Sequence, residues 1–400
     1  MNFRAKRIIF AIAFKGNFDS QICAYMEHWI FNDLISFFVS LFLAGIIIPQ
    51  ILLIAFRKKL FDEIDERKIH KGVVPRLGGI AFFPSILFSF CIVVGFSLKY
   101  FGWETVGEYM DVVIPFYFMI CAVLLMFLVG IADDLLGVRY LAKFAVQILA
   151  SILIVFSGVY IDNFFGFLWV HEIPDWIGWL STAFMVVFVV NAINLIDGID
   201  GLASGLSTVA FVFYAIIFYW SGEYAYSMLA SASAGTLLPF FYYNVFGNAN
   251  KQKKIFMGDT GALTTGMILV FCAIGMLHID DSFKVTNYNP VILGISPLII
   301  PLFDVVRVYL HRVARHRNPF LPDKSHIHHK LLALGLNQRI ALIIIMLWSM
   351  FFIVINMLLS SVMNPTLIII ADIAVWTLVN FALSKSITYR EAKLGKSLFD

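Results

Sequence analysis

A run of polar side chains, N-A-I-N-L-I-D-G-I-D-G-L-A, occupies residues 191–203 and holds Asn191, Asn194, Asp197 and Asp200 at intervals of three. Neighbours in such a series share one side of a helix, although the series drifts by about 60° per step. Gly198 and Gly201 should break that helix and leave the two aspartates in a tight loop. Four oxygen-bearing side chains in so short a stretch suit a hard cation, or a ribose and its base; the plainer reading is a polar helix cap. Asp133 and Asp134 are adjacent. Such a pair needs a metal, a cation or a shared proton, unless both acids are simply solvated at a helix end. In M-G-D-T-G, residues 257–261, Asp259 stands between glycines that allow close backbone approach. Weak alone, that motif becomes a metal-ligand candidate beside the other acids.

Basic groups accompany these acids. The stretch D-E-R-K-I-H-K-G-V-V-P-R-L-G-G, residues 65–79, ends in Arg76 and a glycine pair that opens a helix. Arg76 could face a phosphate, or the stretch could be an electrostatic anchor. Lys143 and Gln147 lie four apart, so one helix face can carry both. Asp304 and Arg307, three apart, suit a local structural pair. His326, His328 and His329 lack the companions of a zinc site, and the Arg and Lys around them favour anion binding. Lys251, Lys253 and Lys254 suit a lipid-surface patch. Acids for a divalent cation and basic walls for phosphate oxygens are together the equipment for phosphoryl transfer.

The elements that must position these groups are membrane helices. Of the 400 residues, 60% are apolar and only 14% charged, with 41 Phe, and mean hydropathy is +0.87. That leaves too little polar material to coat a soluble protein, and it excludes disorder, coiled coil and a disulfide scaffold. The expected fold is an all-α, polytopic membrane helix bundle. About eleven spans are expected, at 34–56, 78–98, 112–132, 141–160, 176–196, 202–220, 226–246, 260–277, 290–308, 340–359 and 366–383. The odd-numbered loops and the C-terminal tail carry 23 Lys and Arg, against Lys99 and Lys284 on the other side, which puts the odd loops in the cytoplasm. Arg4, Lys6, Arg7 and Lys15 would lie outside under strict alternation. The expected organisation is an N-terminal extension over 1–33, a catalytic membrane domain over 34–385 and a tail over 386–400. Cys91, Cys121 and Cys272 fall in apolar runs and read as small buried hydrophobes.

In this order, P-R-L-G-G (75–79), the pair Asp133–Asp134 with Lys143 and Gln147, the 191–203 motif, M-G-D-T-G (257–261), P-L-F-D-V-V-R-V (301–308) and P-D-K-S-H-I-H-H-K-L (322–331) resemble the polyprenyl-phosphate N-acetylhexosamine-1-phosphate transferase family. The resemblance spans roughly residues 35–385. It implies undecaprenyl phosphate as acceptor, a UDP-linked N-acetylhexosamine as donor, release of UMP, and Mg²⁺ or Mn²⁺ as cofactor. It puts Asp259 on the metal with Asn194 beside it, and has Asp133 or Asp134 orient or deprotonate the lipid phosphate. Asp197 and Asp200 would face the nucleotide-sugar, with Arg76, Lys143, Asn191, His326, His328 and His329 as further substrate-binding groups. The muropeptide branch carries three consecutive histidines, whereas Ile327 interrupts them here. That difference favours UDP-N-acetylglucosamine and a route to O-antigen, common antigen, teichoic acid linkage or capsule. The setting implied is the bacterial inner membrane with a cytoplasm-facing site. The bilayer and the two substrates are the expected partners, a homodimer is left open, and nothing points to nucleic acid.

Other classes fit less well. A CDP-alcohol phosphotransferase needs an Ala-Arg after the first D-G, which D-G-I-D-G-L-A-S-G lacks. An intramembrane aspartyl protease needs G-x-G-D, and residue 256 is Phe256. A transporter would carry its charges near the midplane with repeat symmetry, whereas here they gather at one rim.

Overall fold

The computed structural model describes residues 18–60, 74–101, 110–279, 288–316 and 326–395. Thirteen α-helices account for most of them: α1 Phe18–Lys58, α2 Phe82–Phe101, α3 Met110–Leu136, α4 Tyr140–Phe156, α5 Asp175–Ile196, α6 Leu202–Trp220, α7 Tyr224–Val245, α8 Gly258–Gly275, α9 Pro290–Ile295, α10 Ile299–Ala314, α11 Ile327–Ala333, α12 Gln338–Ser360 and α13 Pro365–Leu394. No strand occurs among the described residues, only an isolated bridge between Asn163 and Glu172. Each of the eleven expected spans falls on a helix. The ninth is broken, α9 and α10 being joined by a 3-10 turn at Ser296–Leu298.

Among the described residues, nine helical segments are long and apolar enough to cross a membrane. The other two expected spans differ for separate reasons. Helix α4 has 17 residues and so reaches about 25 Å. Helix α7 has 22 residues, but its A-S-A-S-A-G stretch dilutes the hydropathy. Those small residues let it pack closely against α1, where a Cβ at Gly235 would collide with the Phe37 carbonyl and Ser40.

Helix α8 is the axis of the bundle. Every residue from Thr260 to Gly275 is buried, and α3 and α5 pack along it. A helix apolar all round belongs in a core. Its second residue, Asp259, therefore sits at the mouth of the most enclosed part of the protein.

Helix α1 starts at Phe18 and α13 runs on to Leu394, across the expected boundaries at 33 and 385. Residues 1–17 of the expected extension lie outside the described residues. Cys272 is buried, but Cys91 and Cys121 are exposed on the outer faces of α2 and α3, where lipid supplies the apolar surroundings. Finally, polar groups are not confined to one rim. Asp372 on α13 is buried and accepts a hydrogen bond from Asn356 Nδ2 at 2.8 Å, and the same amide reaches Ser296 Oγ at 3.2 Å. This network ties α12 and α13 to the break in the ninth span.

Candidate active site

The floor of the site is made by two glycine-rich segments far apart in the chain. Phe256 N donates to Pro75 O at 2.9 Å, Gly78 N to Phe256 O at 3.0 Å and Gly79 N to Met257 O at 2.9 Å. P-R-L-G-G and M-G-D-T-G are thus zipped together by backbone bonds. A Cβ at Gly79 would run into the backbone of Gly261, and one at Gly130 on α3 into Thr260. Gly258 has φ +69 and lies against the Arg76 carbonyl and the Asp134 carboxylate. Only residues without a side chain allow three helix ends to meet this closely.

Asp134 closes the joint. Its carboxylate accepts from Asp259 N at 2.8 Å, Thr260 N at 2.9 Å and Thr260 Oγ1 at 2.5 Å. It therefore caps α8 from a different helix, supplying oxygens to backbone N–H groups that the first turn leaves unpaired. Negative charge is favoured there by the helix dipole.

Asp133 turns the other way. Its Oδ1 accepts from Val138 N at 2.7 Å, and its Oδ2 lies 3.1 Å from Lys143 Nζ. Lys143 also lies 2.8 Å from Asp259 Oδ2, so one ammonium bridges the two acids. The Asp133 carboxyl and the Asn194 amide both lie close enough to the Asp259 carboxyl to act on it. Four of the expected site residues, from α3, α4, α5 and α8, thereby converge. Gln147, one turn beyond Lys143, accepts from Asn191 Nδ2 at 2.7 Å and fixes α4 to α5.

The 191–203 motif behaves as its glycines imply. Helix α5 ends at Ile196, Gly201 has φ +81, and α6 starts at Leu202. Asp197 is exposed at the end of α5, within the electrostatic reach of Asp200, Asp259, Arg76 and Asp134. Asp200 is paired with Lys254 Nζ at 2.5 Å. The Asp200–Lys254 pair was not apparent from the chain. Neither was Asn244, which accepts from Gly201 N at 2.6 Å and donates to Ile255 O at 2.8 Å. Asn244 is the one amide at the end of an aromatic run, and a buried amide at a membrane rim is itself a signal.

The histidines approach from the opposite side of this loop. His328 is 1% exposed, and its ring rests on Gly198, where a Cβ would collide with it. Burial first, then His329, His326 and Arg307 with Asp304 opposing, push its pKa down to about 3, so it is a neutral imidazole. Among the described residues, neither ring nitrogen has a hydrogen-bond partner. The His329 ring lies 4.2 Å from that of His328. His326 Nδ1 is 2.8 Å from Asp304 Oδ2, and Arg307 Nη2 donates to Asp304 Oδ1 at 2.8 Å. The local Asp304–Arg307 pair thus exists as expected and also holds the histidine segment. Among the described residues, no three His, Cys, Asp or Glu side chains converge as a metal-binding group.

The arrangement clusters acids around one lysine, with Arg76, Lys254 and the histidine turn close to the same loop. It can hold phosphate groups and a cation against a nucleotide-sized partner. A model of the family described as "Glycosyl transferase family 4" matches residues 116–277. The chain is 30% identical over 328 residues to the Bacillus subtilis (strain 168) protein named "Probable undecaprenyl-phosphate N-acetylglucosaminyl 1-phosphate transferase", covering 82% of this chain and 85% of the relative. The Yersinia pestis and Salmonella typhi proteins named "Undecaprenyl-phosphate alpha-N-acetylglucosaminyl 1-phosphate transferase" are 30% and 31% identical, each covering 74% of this chain and 75% of the relative. Similar over most of its length, with ordered motifs that come together in one site, the chain belongs to glycosyl transferase family 4 and is a multi-pass membrane sugar-phosphate transferase.

Proposed function

We propose that this enzyme transfers N-acetylglucosamine 1-phosphate from UDP-N-acetylglucosamine to undecaprenyl phosphate and releases UMP. The observation that carries the reading is the bridge from Asp133 through Lys143 to Asp259, set beside the loop of Asp197 and Asp200. The names of the relatives support the lipid and the sugar. The excess of Lys and Arg in the odd loops supports a site on the cytoplasmic face of a bacterial inner membrane.

In this reading an oxygen of the lipid phosphate attacks the sugar-bearing phosphorus, a new P–O bond forms, and the bond to UMP breaks. The main barrier is electrostatic, since a dianion must approach a pyrophosphate. A phosphate monoester has a second pKa of about 6, so the nucleophile is largely deprotonated at neutral pH. A strong base is then less important than positive charge and alignment. Lys143 supplies charge between the two acids, Arg76 and the outer histidines supply it at the rim, and Asp133 orients Lys143 and the incoming phosphate. Asp134, capping α8, holds Asp259 in place.

The donor set suits Mg²⁺ or Mn²⁺. Two adjacent carboxylates and an amide are the sparse protein ligands that Mg²⁺ takes when waters and phosphates complete its shell. Asp259 and Asn194 would hold the ion, with Asp133 next to them. When bound, it supplies positive charge that eases the meeting of two phosphate groups.

The test is a donor panel with purified enzyme and undecaprenyl phosphate. It compares UDP-linked N-acetylglucosamine, N-acetylgalactosamine, N-acetylquinovosamine, N-acetylfucosamine and the muramoyl-pentapeptide. The expected product is lipid-linked diphospho-N-acetylglucosamine by mass, with one UMP per lipid. Preference for another donor replaces the sugar in the proposal, and no UMP release from any donor overturns it.

A further inference from the structure

The histidine turn cannot hold its own position. Helix α11 has only seven residues, Ile327–Ala333, far below the length at which a helix is stable alone. Its start is tied to α10 by His326 and by Ile327 N, which donates to Asp304 Oδ1 at 3.0 Å. Its end is tied to α13, where Arg390 Nη1 donates to Ala333 O at 3.2 Å. Between these ties lies Lys330, which is 8% exposed. Its Nζ reaches three acceptors on α13: Asn380 Oδ1 at 3.1 Å, Asn380 O at 3.4 Å and Ser384 Oγ at 3.0 Å.

None of these acceptors is charged. Among the described residues, the charged groups nearby are Arg307 and Asp304 on α10 and Arg390 on α13, and the turn itself contributes His326, His328 and His329. Among the described residues no carboxylate bonds this buried ammonium, which makes it an expensive way to join two helices; an apolar contact would do so at lower cost. What the ammonium adds is direction, because three N–H groups meet three acceptors at fixed points. Lys330 is two residues from His328, whose ring rests on Gly198 of the aspartate loop.

We propose that Lys330 is a positioning residue that acts through the histidine turn, gripping α13 so that His328 stays seated on the aspartate loop and shapes the nucleotide side of the site. This rests on the reading that the site takes a uridine nucleotide. Burial, then Arg307, lowers the Lys330 pKa to about 8, with Asp304 opposing. A neutral amine has two N–H groups for three acceptors, so the grip loosens as pH rises through that value.

The experiment uses the full-length enzyme in detergent, comparing wild type, Lys330→Met and Asn380→Asp over pH 6.5–9.5. Calorimetric binding of UMP is read alongside donor and lipid KM. In Lys330→Met, losing a hydrogen-bonded charge should weaken UMP binding and raise donor KM by about tenfold. Its lipid KM should stay within about twofold, and its alkaline decline in donor kcat/KM should flatten. Asn380→Asp places a carboxylate beside the ammonium and should move that decline up by about one pH unit or more. Wild-type UMP affinity in Lys330→Met, or an alkaline decline that both variants leave unmoved, overturns the proposal. If Lys330→Met does not fold, Asn380→Asp decides alone. Wild-type UMP binding without turnover would sink the transferase reading and leave this test standing, whereas no UMP binding by the wild type sinks both.

Discussion

The ammonium of Lys143 lies 2.8 Å from a carboxylate oxygen of Asp259, although 116 positions separate the two residues in the chain. The same ammonium reaches Asp133, so two acids that would repel are joined through one cation. In phosphoryl transfer between two anions, that is where charge has to be managed. The neighbouring residues can be ranked by whether they make this contact or hold it in place.

The two acids of the Asp133–Asp134 pair should part company on mutation. Asp134→Ala removes three bonds to the start of α8 and is expected to cost about 1–2 kcal/mol of stability, the range for a lost helix cap. Its activity should fall with it, by the same factor at every pH. Asp133→Asn should leave the melting temperature within a few degrees while activity falls at least tenfold, again flat across pH, because its carboxylate orients Lys143. Thermal melts in detergent and pH–rate profiles check both. A profile displaced along the pH axis in Asp133→Asn would make it a base instead.

Gly79→Ala is expected to fail for a steric reason. The new methyl meets the backbone of Gly261, which cannot rotate away as a side chain would. The 3-10 turn before α2 must then separate from α8 and lose the Gly79 N to Met257 O bond. A destabilisation of about 3 kcal/mol or more, at the upper end for overpacking, should accompany loss of activity. The conservative control Gly95→Ala, where a Cβ has open space, should behave as wild type in both assays.

His328 makes a prediction about acid. Its pKa is about 6.5 in the unfolded chain and about 3 when buried, so below pH 6.5 the unfolded state binds the extra proton. Stability from this group is complete above pH 6.5 and is lost as pH falls toward 3. Each unit of that fall removes up to about 1.4 kcal/mol. Equilibrium or kinetic unfolding between pH 7 and 5 should show this slope, and His328→Phe should flatten it. An unchanged slope in the variant would place the titrating group elsewhere.

Much of the site could be read from the chain because polar groups at a membrane rim are costly and stand out against apolar runs. The break at Gly198 and Gly201 follows from glycine between carboxylates, and the common face of Lys143 and Gln147 follows from their spacing. The tie between Asp134 and α8 did not show, since it crosses 125 positions and nothing local marks a cap supplied by another helix. The pairing of Pro75–Gly79 with Phe256–Met257 was hidden for the same reason. Single acids within apolar runs carry no spacing signal, which is why Asp372 and its partner Asn356 emerged only in three dimensions.

Asp259 faces Lys143, Asn194 and Asp133 at once. The direct measurement is the turnover of purified Asp259→Asn with UDP-N-acetylglucosamine and undecaprenyl phosphate, over a Mg²⁺ series that reaches far above what saturates the wild type. The variant should fold and melt like wild type, since Asp259 contributes its backbone N–H to the Asp134 cap, and it should show no UMP release at any Mg²⁺ concentration. Near-normal turnover in a folded Asp259→Asn would contradict the assignment of this cluster as the place where the two phosphates meet.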